Sequence, residues 1–229
     1  MKIIPKHTIT VPLNISSIRK LLLLLEWLVL FFGVPLAVSL QWIPLKGFLS
    51  KLILLLVACL ACLTYLMYDK TFNKRRLGGL TKVRFIWKSL TIRIVLCAIL
   101  LLILCYLLAP EMLFAFVTRA PERWLVVLVC YPFLSAWPQE LIYRTFIFQR
   151  YQKLFGDNLG IIAASSIAFA FLHVIYLNWI AITLTLIAGY LFSINYKKTS
   201  HLATVALEHA IYGDLLFTIG LGTFFYRSF

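Results

Sequence analysis

Apolar residues run along this chain in blocks of helix-spanning length, separated by short polar connections. The blocks fall at 21–41, 50–68, 90–108, 124–149, 159–177, 179–196 and 200–217. A helix needs roughly 20 mostly apolar residues to cross a bilayer. The pattern therefore predicts seven spans, within a range of six to eight. The apolar tail "FTIGLGTFFYRSF" can lie at the interface or form part of an eighth segment. No internal repeat, Gly-rich phosphate loop or disordered tract is evident in the sequence. The expected fold class is all-α, a polytopic transmembrane helical bundle forming a single membrane domain over 1–229.

Composition agrees with that pattern. The chain is 62% hydrophobic and 13% charged, with a mean hydropathy of +0.95. So few polar groups could not cover the surface of a water-soluble domain. The net charge is +14, which in another setting would suggest nucleic acid. Here the basic residues sit between the spans: Lys2, Lys6, Arg19 and Lys20; seven within "DKTFNKRRLGGLTKVRFIWK"; Arg150 and Lys153; Lys197 and Lys198. They alternate with less basic connections, a pattern that sets orientation and predicts a cytoplasmic N-terminus. The expected partners of this charge are anionic lipid head groups, not nucleic acid. The expected location is integral to a bacterial inner or plasma membrane. The opening "MKIIPKHTITVPLNISSIRK" is polar for too long to be a signal peptide. Cys59, Cys62, Cys97, Cys105 and Cys130 all fall in apolar runs and read as small buried hydrophobes, including the C-x-x-C of Cys59 and Cys62.

Candidate chemistry rests on ionisable groups inside the apolar blocks, which are costly there and usually paired and functional. They are Glu26, Arg93, Glu140, Arg144, His173, Glu208, His209 and Asp214. Glu26 stands alone in the first block, and Arg93 is near enough to its helix start to snorkel. The others lie in three stretches. In "PQELIYR", Glu140 and Arg144 share a face at i, i+4 behind a helix-kinking Pro138; an ion pair locking two helices would read the same way. In "FAFLH", Phe169 and His173 share a face, which also suits simple packing. In "ALEHAIYGD", Glu208 and His209 point about 100° apart. Gly213, one turn after His209, leaves space beside it, and Asp214 lies nearer the helix end.

Together, one glutamate and two histidines from three apolar helices can satisfy each other only by converging inside the bundle. That set suits water chemistry. A carboxylate and a histidine can take a proton from water, and a second histidine can donate to an oxyanion. Glu140, His173 and His209 could also hold Zn²⁺ with a water, although no H-E-x-x-H pair is present. Depth opposes convergence. His173 is 16 residues past Asp157 and His209 is 9 past Ser200, or ~24 Å and ~14 Å along their helices.

The three stretches, in this order, resemble the CAAX-protease and bacteriocin-processing family of intramembrane proteases, whose best-known relative is the eukaryotic CAAX prenyl endopeptidase. The family pattern is E-E-x-x-x-R, then F-x-x-x-H, then H-x-x-x-N. The matching positions are Gln139-Glu140 to Arg144, Phe169 to His173, and His209 to Gly213, within a catalytic core expected at 124–217. Gln139 departs from the first glutamate and Gly213 from the asparagine. The resemblance implies an endopeptidase acting on a membrane-associated or leader-peptide substrate. Glu140 would be the general base, assisted by His173, and His209 would stabilise the oxyanion. Arg144 would orient Glu140, while Gln139, Phe169, Glu208, Gly213 and Asp214 would line or support the site. No cofactor is required on this reading, with zinc as the alternative. A non-catalytic protein of the same fold, binding peptides or partners or acting in bacteriocin immunity, is the competing expectation, because an amide in place of Glu cannot accept a proton. A small proton-relay transporter is a third.

Overall fold

The computed structural model describes residues 16–45, 47–78 and 83–225, which are helices and connecting turns with no strand among them. Among the described residues, seven helices are long and apolar enough to cross a membrane: α1 (Ser17–Ser39), α2 (Gly47–Tyr68), α3 (Trp87–Leu108), α4 (Pro121–Phe155), α5 (Leu159–Tyr176), α6 (Trp179–Thr199) and α7 (Leu202–Ile219). These are the seven blocks read from the sequence. α4 runs further than its apolar block because Gln149, Arg150 and Lys153 continue the helix as a polar extension. Lys2, Lys6, Lys82 and residues 226–229 of the tail lie outside the described residues. The described part of the tail forms a short 3-10 turn, Leu221–Phe225, with Leu221 packed on Leu101, Cys105 and Ile219. That part of the tail therefore adds no eighth span.

Large apolar side chains stay exposed along the outer faces, among them Ile53, Val57 and Leu60 on α2 and Ile92, Leu96, Ile99 and Ile103 on α3. In water this belt would drive aggregation; facing lipid tails it is at home, and the protein is an integral membrane protein. The five cysteines are free thiols.

α4 is not a uniform α-helix. It widens into π turns at Pro132–Ala136 and Leu141–Phe146. Proline lacks an amide proton and its ring crowds the carbonyl four residues back. Pro132 and Pro138 sit where this relief is needed, and π turns mark such adjustments. α1 does the same at Val29–Gly33, just before Pro35.

Two expectations about isolated charges are corrected. Glu26 is not alone: it accepts from Arg150 Nε at 3.0 Å and Nη2 at 2.6 Å, and from Tyr151 Oη at 2.8 Å. Arg93 does not snorkel: its Nη2 lies 3.0 Å from Glu208 Oε1. In both cases burying a carboxylate demanded a donor from a distant helix. Glu26→Ala is expected to destabilise the protein by about 1–3 kcal/mol, because Tyr151 and Arg150 lose their shared acceptor. The thermal unfolding midpoint of the purified chain in detergent measures this, and an unchanged midpoint would refute it. The basic connection after α2 is also partly folded down. Arg76 is buried, lies over the Phe72 and Tyr196 rings and donates to Gln149 Oε1 at 3.2 Å.

Candidate active site

α4, α5, α6 and α7 bring the polar residues together. Small residues let α5 and α6 approach closely. A Cβ on Gly189 would lie 3.1 Å from Phe169 Cδ1 and 3.3 Å from the Ser166 backbone. Ser166 and Ser193 hydroxyls meet at 3.3 Å, and Ser193 donates to Ser165 at 3.1 Å. This contact fixes Phe169, the ring on which both histidines rest.

Glu140 and Arg144 are 0% exposed, and their pairing is as the spacing predicts. Arg144 Nε lies 3.1 Å from Glu140 Oε2, off the hydrogen-bond line. Arg144 Nη1 donates to Ser165 Oγ at 3.0 Å, and Ser165 in turn donates to the Tyr143 carbonyl at 2.6 Å. The guanidinium also lies over Phe169, 4.7 Å from its centroid, and over Phe192 at 5.6 Å. Planar cations favour such faces.

The other oxygen of Glu140 meets His209. Nδ1 of His209 is 2.8 Å from Glu140 Oε1. A carboxylate is an acceptor, so Nδ1 holds the proton and Nε2 is the free end of the ring. The ring stacks on Phe192 at 4.8 Å and meets Phe169 edge-on at 5.5 Å.

His173 begins the 3-10 turn that ends α5. Its Nδ1 is 2.9 Å from the Phe169 carbonyl, which can only accept. Nε2 is therefore again the free nitrogen. The ring meets Phe169 at 5.0 Å. The depth offset counted along the helices is thus spanned by Phe169, which contacts both imidazoles. His173 makes no hydrogen bond to Glu140 or His209 among the described residues.

A cavity of about 730 Å³ opens beside these groups. α1 and α2 supply an apolar wall through Phe31, Val34, Leu55 and Ala58, while Gln139 and His173 face in from α4 and α5. Gln139 is tied back by Nε2 donating to Ser135 Oγ at 2.7 Å. Glu140 and His209 are not among its lining residues.

Two candidates, Glu208 and Gly213, sit differently from expectation. Glu208 points away from His209, as their angular separation demands, into a network of its own with Arg93, Asn195 and Tyr212 (Tyr212 Oη at 2.8 Å). It braces α3, α6 and α7 rather than lining the site. Gly213 does not leave empty space: a Cβ there would lie 2.2 Å from Tyr131 Cε1 and 2.4 Å from Tyr131 Oη. The phenol of α4 fills the gap. Asp214 is half-buried, with Oδ1 shut from solvent and without a partner among the described residues. Tyr131 and Ser165 were not singled out from the sequence. The hint available was a tyrosine directly before Pro132, and a serine pair in an otherwise apolar α5.

A bound metal does not fit this arrangement well. Among the described residues no three His, Cys, Asp or Glu side chains gather as a ligand set. The Arg144 guanidinium already lies against Glu140, where a divalent cation would compete with it. What the arrangement offers is a base-capable imidazole on a cavity and a second imidazole held by a buried carboxylate.

Residues 121–213 match the family model described as Rce1-like, Type II CAAX prenyl endopeptidase Rce1-like. No curated protein and no solved structure matches the chain.

Proposed function

Taking residues 121–213 as a segment of the CAAX prenyl endopeptidase type, we propose that this integral membrane protein is an intramembrane endopeptidase that hydrolyses a peptide bond with histidine-activated water. The observation that carries the reading is the pair of oriented imidazoles: each has Nδ1 committed to an acceptor and Nε2 free.

The roles follow from what each group can donate or accept. Water sits in the cavity between Gln139 and His173. The Gln139 carbonyl oxygen orients it but cannot take its proton. His173 Nε2 takes that proton as the water oxygen bonds to the scissile carbonyl carbon. The carbonyl π pair moves to oxygen. Donation from His209 Nε2 to that oxyanion requires a proton on Nε2 as well as on Nδ1, and Glu140, 2.8 Å from Nδ1, balances the charge of that form. On collapse the C–N bond breaks, and the proton held by His173 passes to the leaving amine. On this reading Glu140 acts through His209 and not as the base that its motif position implies, since Oε1 accepts from His209 and Oε2 lies in the ion pair with Arg144. Arg144 holds Glu140 from the opposite side.

The substrate class proposed is a peptide presented at the membrane, with a prenylated C-terminal peptide as the first candidate and leader peptides as the second. The test is cleavage of a farnesylated peptide and its unmodified counterpart by the purified full chain in detergent, followed by mass spectrometry, with and without chelator. Cleavage that persists with chelator and falls in Glu140→Gln, with intact folding, is expected. A well-folded wild type that cleaves neither peptide sinks the hydrolase and favours the peptide-binding reading, for which Gln139 is the supporting residue.

A further inference from the structure

We infer that Tyr131 supplies the second oxyanion donor of this site, standing where a side chain from position 213 would otherwise reach; the inference rests on the hydrolase reading above. Gly213 follows His209 by one helical turn, so the two share a face of α7. A residue at 213 would project beside the imidazole. Instead Tyr131 comes across from α4. Its Oη lies 2.4 Å and its Cζ 2.4 Å from the point where a Cβ of residue 213 would be built. Such distances exclude any side chain at 213 while the phenol is in place. Glycine at 213 and tyrosine at 131 are therefore one packing solution, not two independent choices.

The phenol also stands beside His209 and is available. Its ring meets His209 edge-on at 6.0 Å and Phe217 at 5.3 Å, so it is held by rings on both sides. Tyr131 Oη makes no hydrogen bond among the described residues. A half-buried phenol without a partner is a donor awaiting an acceptor. The π turn Pro132–Ala136 begins at the next residue. It shifts the register between Tyr131 and Glu140, so both can face His209 although they lie on one helix.

Two donors on one oxygen is the usual requirement for stabilising the tetrahedral adduct, and His209 Nε2 supplies one. Tyr131 Oη would supply the other. No proton is transferred in this role: the phenol donates a hydrogen bond that strengthens as negative charge builds on the former carbonyl oxygen.

The experiment pairs turnover with binding in the full-length protein. With the farnesylated peptide, Tyr131→Phe should lower kcat about 100-fold with little change in KM, the cost of one oxyanion donor. A peptide phosphinate, an anionic tetrahedral mimic, should bind Tyr131→Phe about 100-fold more weakly than wild type, while the amide peptide binds both equally. The double variant Tyr131→Ala/Gly213→Asn should recover part of the kcat lost in Tyr131→Ala, because the vacated volume then receives an amide donor; thermal unfolding midpoints identify any variant that fails to fold. Equal kcat and equal phosphinate affinity in wild type and Tyr131→Phe would overturn the inference and leave the hydrolase standing. A wild type that cleaves nothing, yet prefers the phosphinate through Tyr131, would overturn hydrolysis and keep the donor. A wild type that neither cleaves nor prefers the phosphinate would overturn both.

Discussion

His173→Gln is expected to lower kcat by about 100- to 10,000-fold, the range for losing a general base, while leaving stability nearly unchanged. The imidazole lines the cavity and keeps a ring nitrogen free of hydrogen bonds among the described residues. Its Nδ1 is spent on the Phe169 carbonyl, and the glutamine amide can keep a similar donor there. Nothing at the end of α5 depends on the Nε2 lone pair for folding. Gln139, another polar group on that wall, cannot replace it. Single-turnover cleavage of the farnesylated peptide measures the loss. A variant with wild-type turnover would move the base elsewhere, with Glu140 the first alternative.

The second large effect concerns stability. Arg144→Met should cost about 3–5 kcal/mol, the penalty for leaving one member of a buried ion pair unmatched. Glu140 and Arg144 are both 0% exposed. Methionine retains the contact with Phe169 and Phe192 but offers Glu140 no positive charge. Glu140→Gln strands Arg144 in the same way, though Ser165 and the aromatic faces soften that loss. The double variant should therefore be much less destabilised than the two single variants added together. Reversible unfolding in mixed detergents gives the coupling as a double-mutant cycle. Strict additivity would mean that the pair contributes nothing beyond its separate parts.

Much of this architecture is visible from hydropathy alone. Seven apolar blocks become seven helices because a bilayer leaves the backbone few other options. The Glu140–Arg144 pair follows from one turn of helix. The approach of Glu140 to His209 follows from the cost of burying either alone. What could not be read depends on residues far apart in sequence. Glu26 and Arg150 are separated by 124 positions, and nothing near Glu26 announces its donor. Arg93 looked free to reach the interface because Glu208 had been grouped with the site. Gly213 shows in the sequence only that a side chain is missing, whereas the phenol that replaces it belongs to another helix. Pro132 and Pro138 announce a disturbance in α4 but not that two wide turns would absorb it. Counting depth along helices suggested that His173 and His209 were too far apart. The aromatic ring that both touch was the omitted quantity.

Much of the apolar wall of the cavity comes from α1 and α2, outside the matched segment that begins at residue 121, although Ile142, Phe146, Leu172 and Ile175 of that segment share it. On the proposed reading, part of the stretch that would select a substrate therefore lies apart, along the chain, from the imidazoles. Selectivity can then drift, or be transplanted, by exchanging Phe31, Val34, Leu55 and Ala58 for larger or smaller neighbours. The imidazoles and their partners would keep their spacing throughout. On the proposed reading, one part of the wall could change in the first half of the chain while the imidazoles stay fixed in the second, although both belong to one bundle.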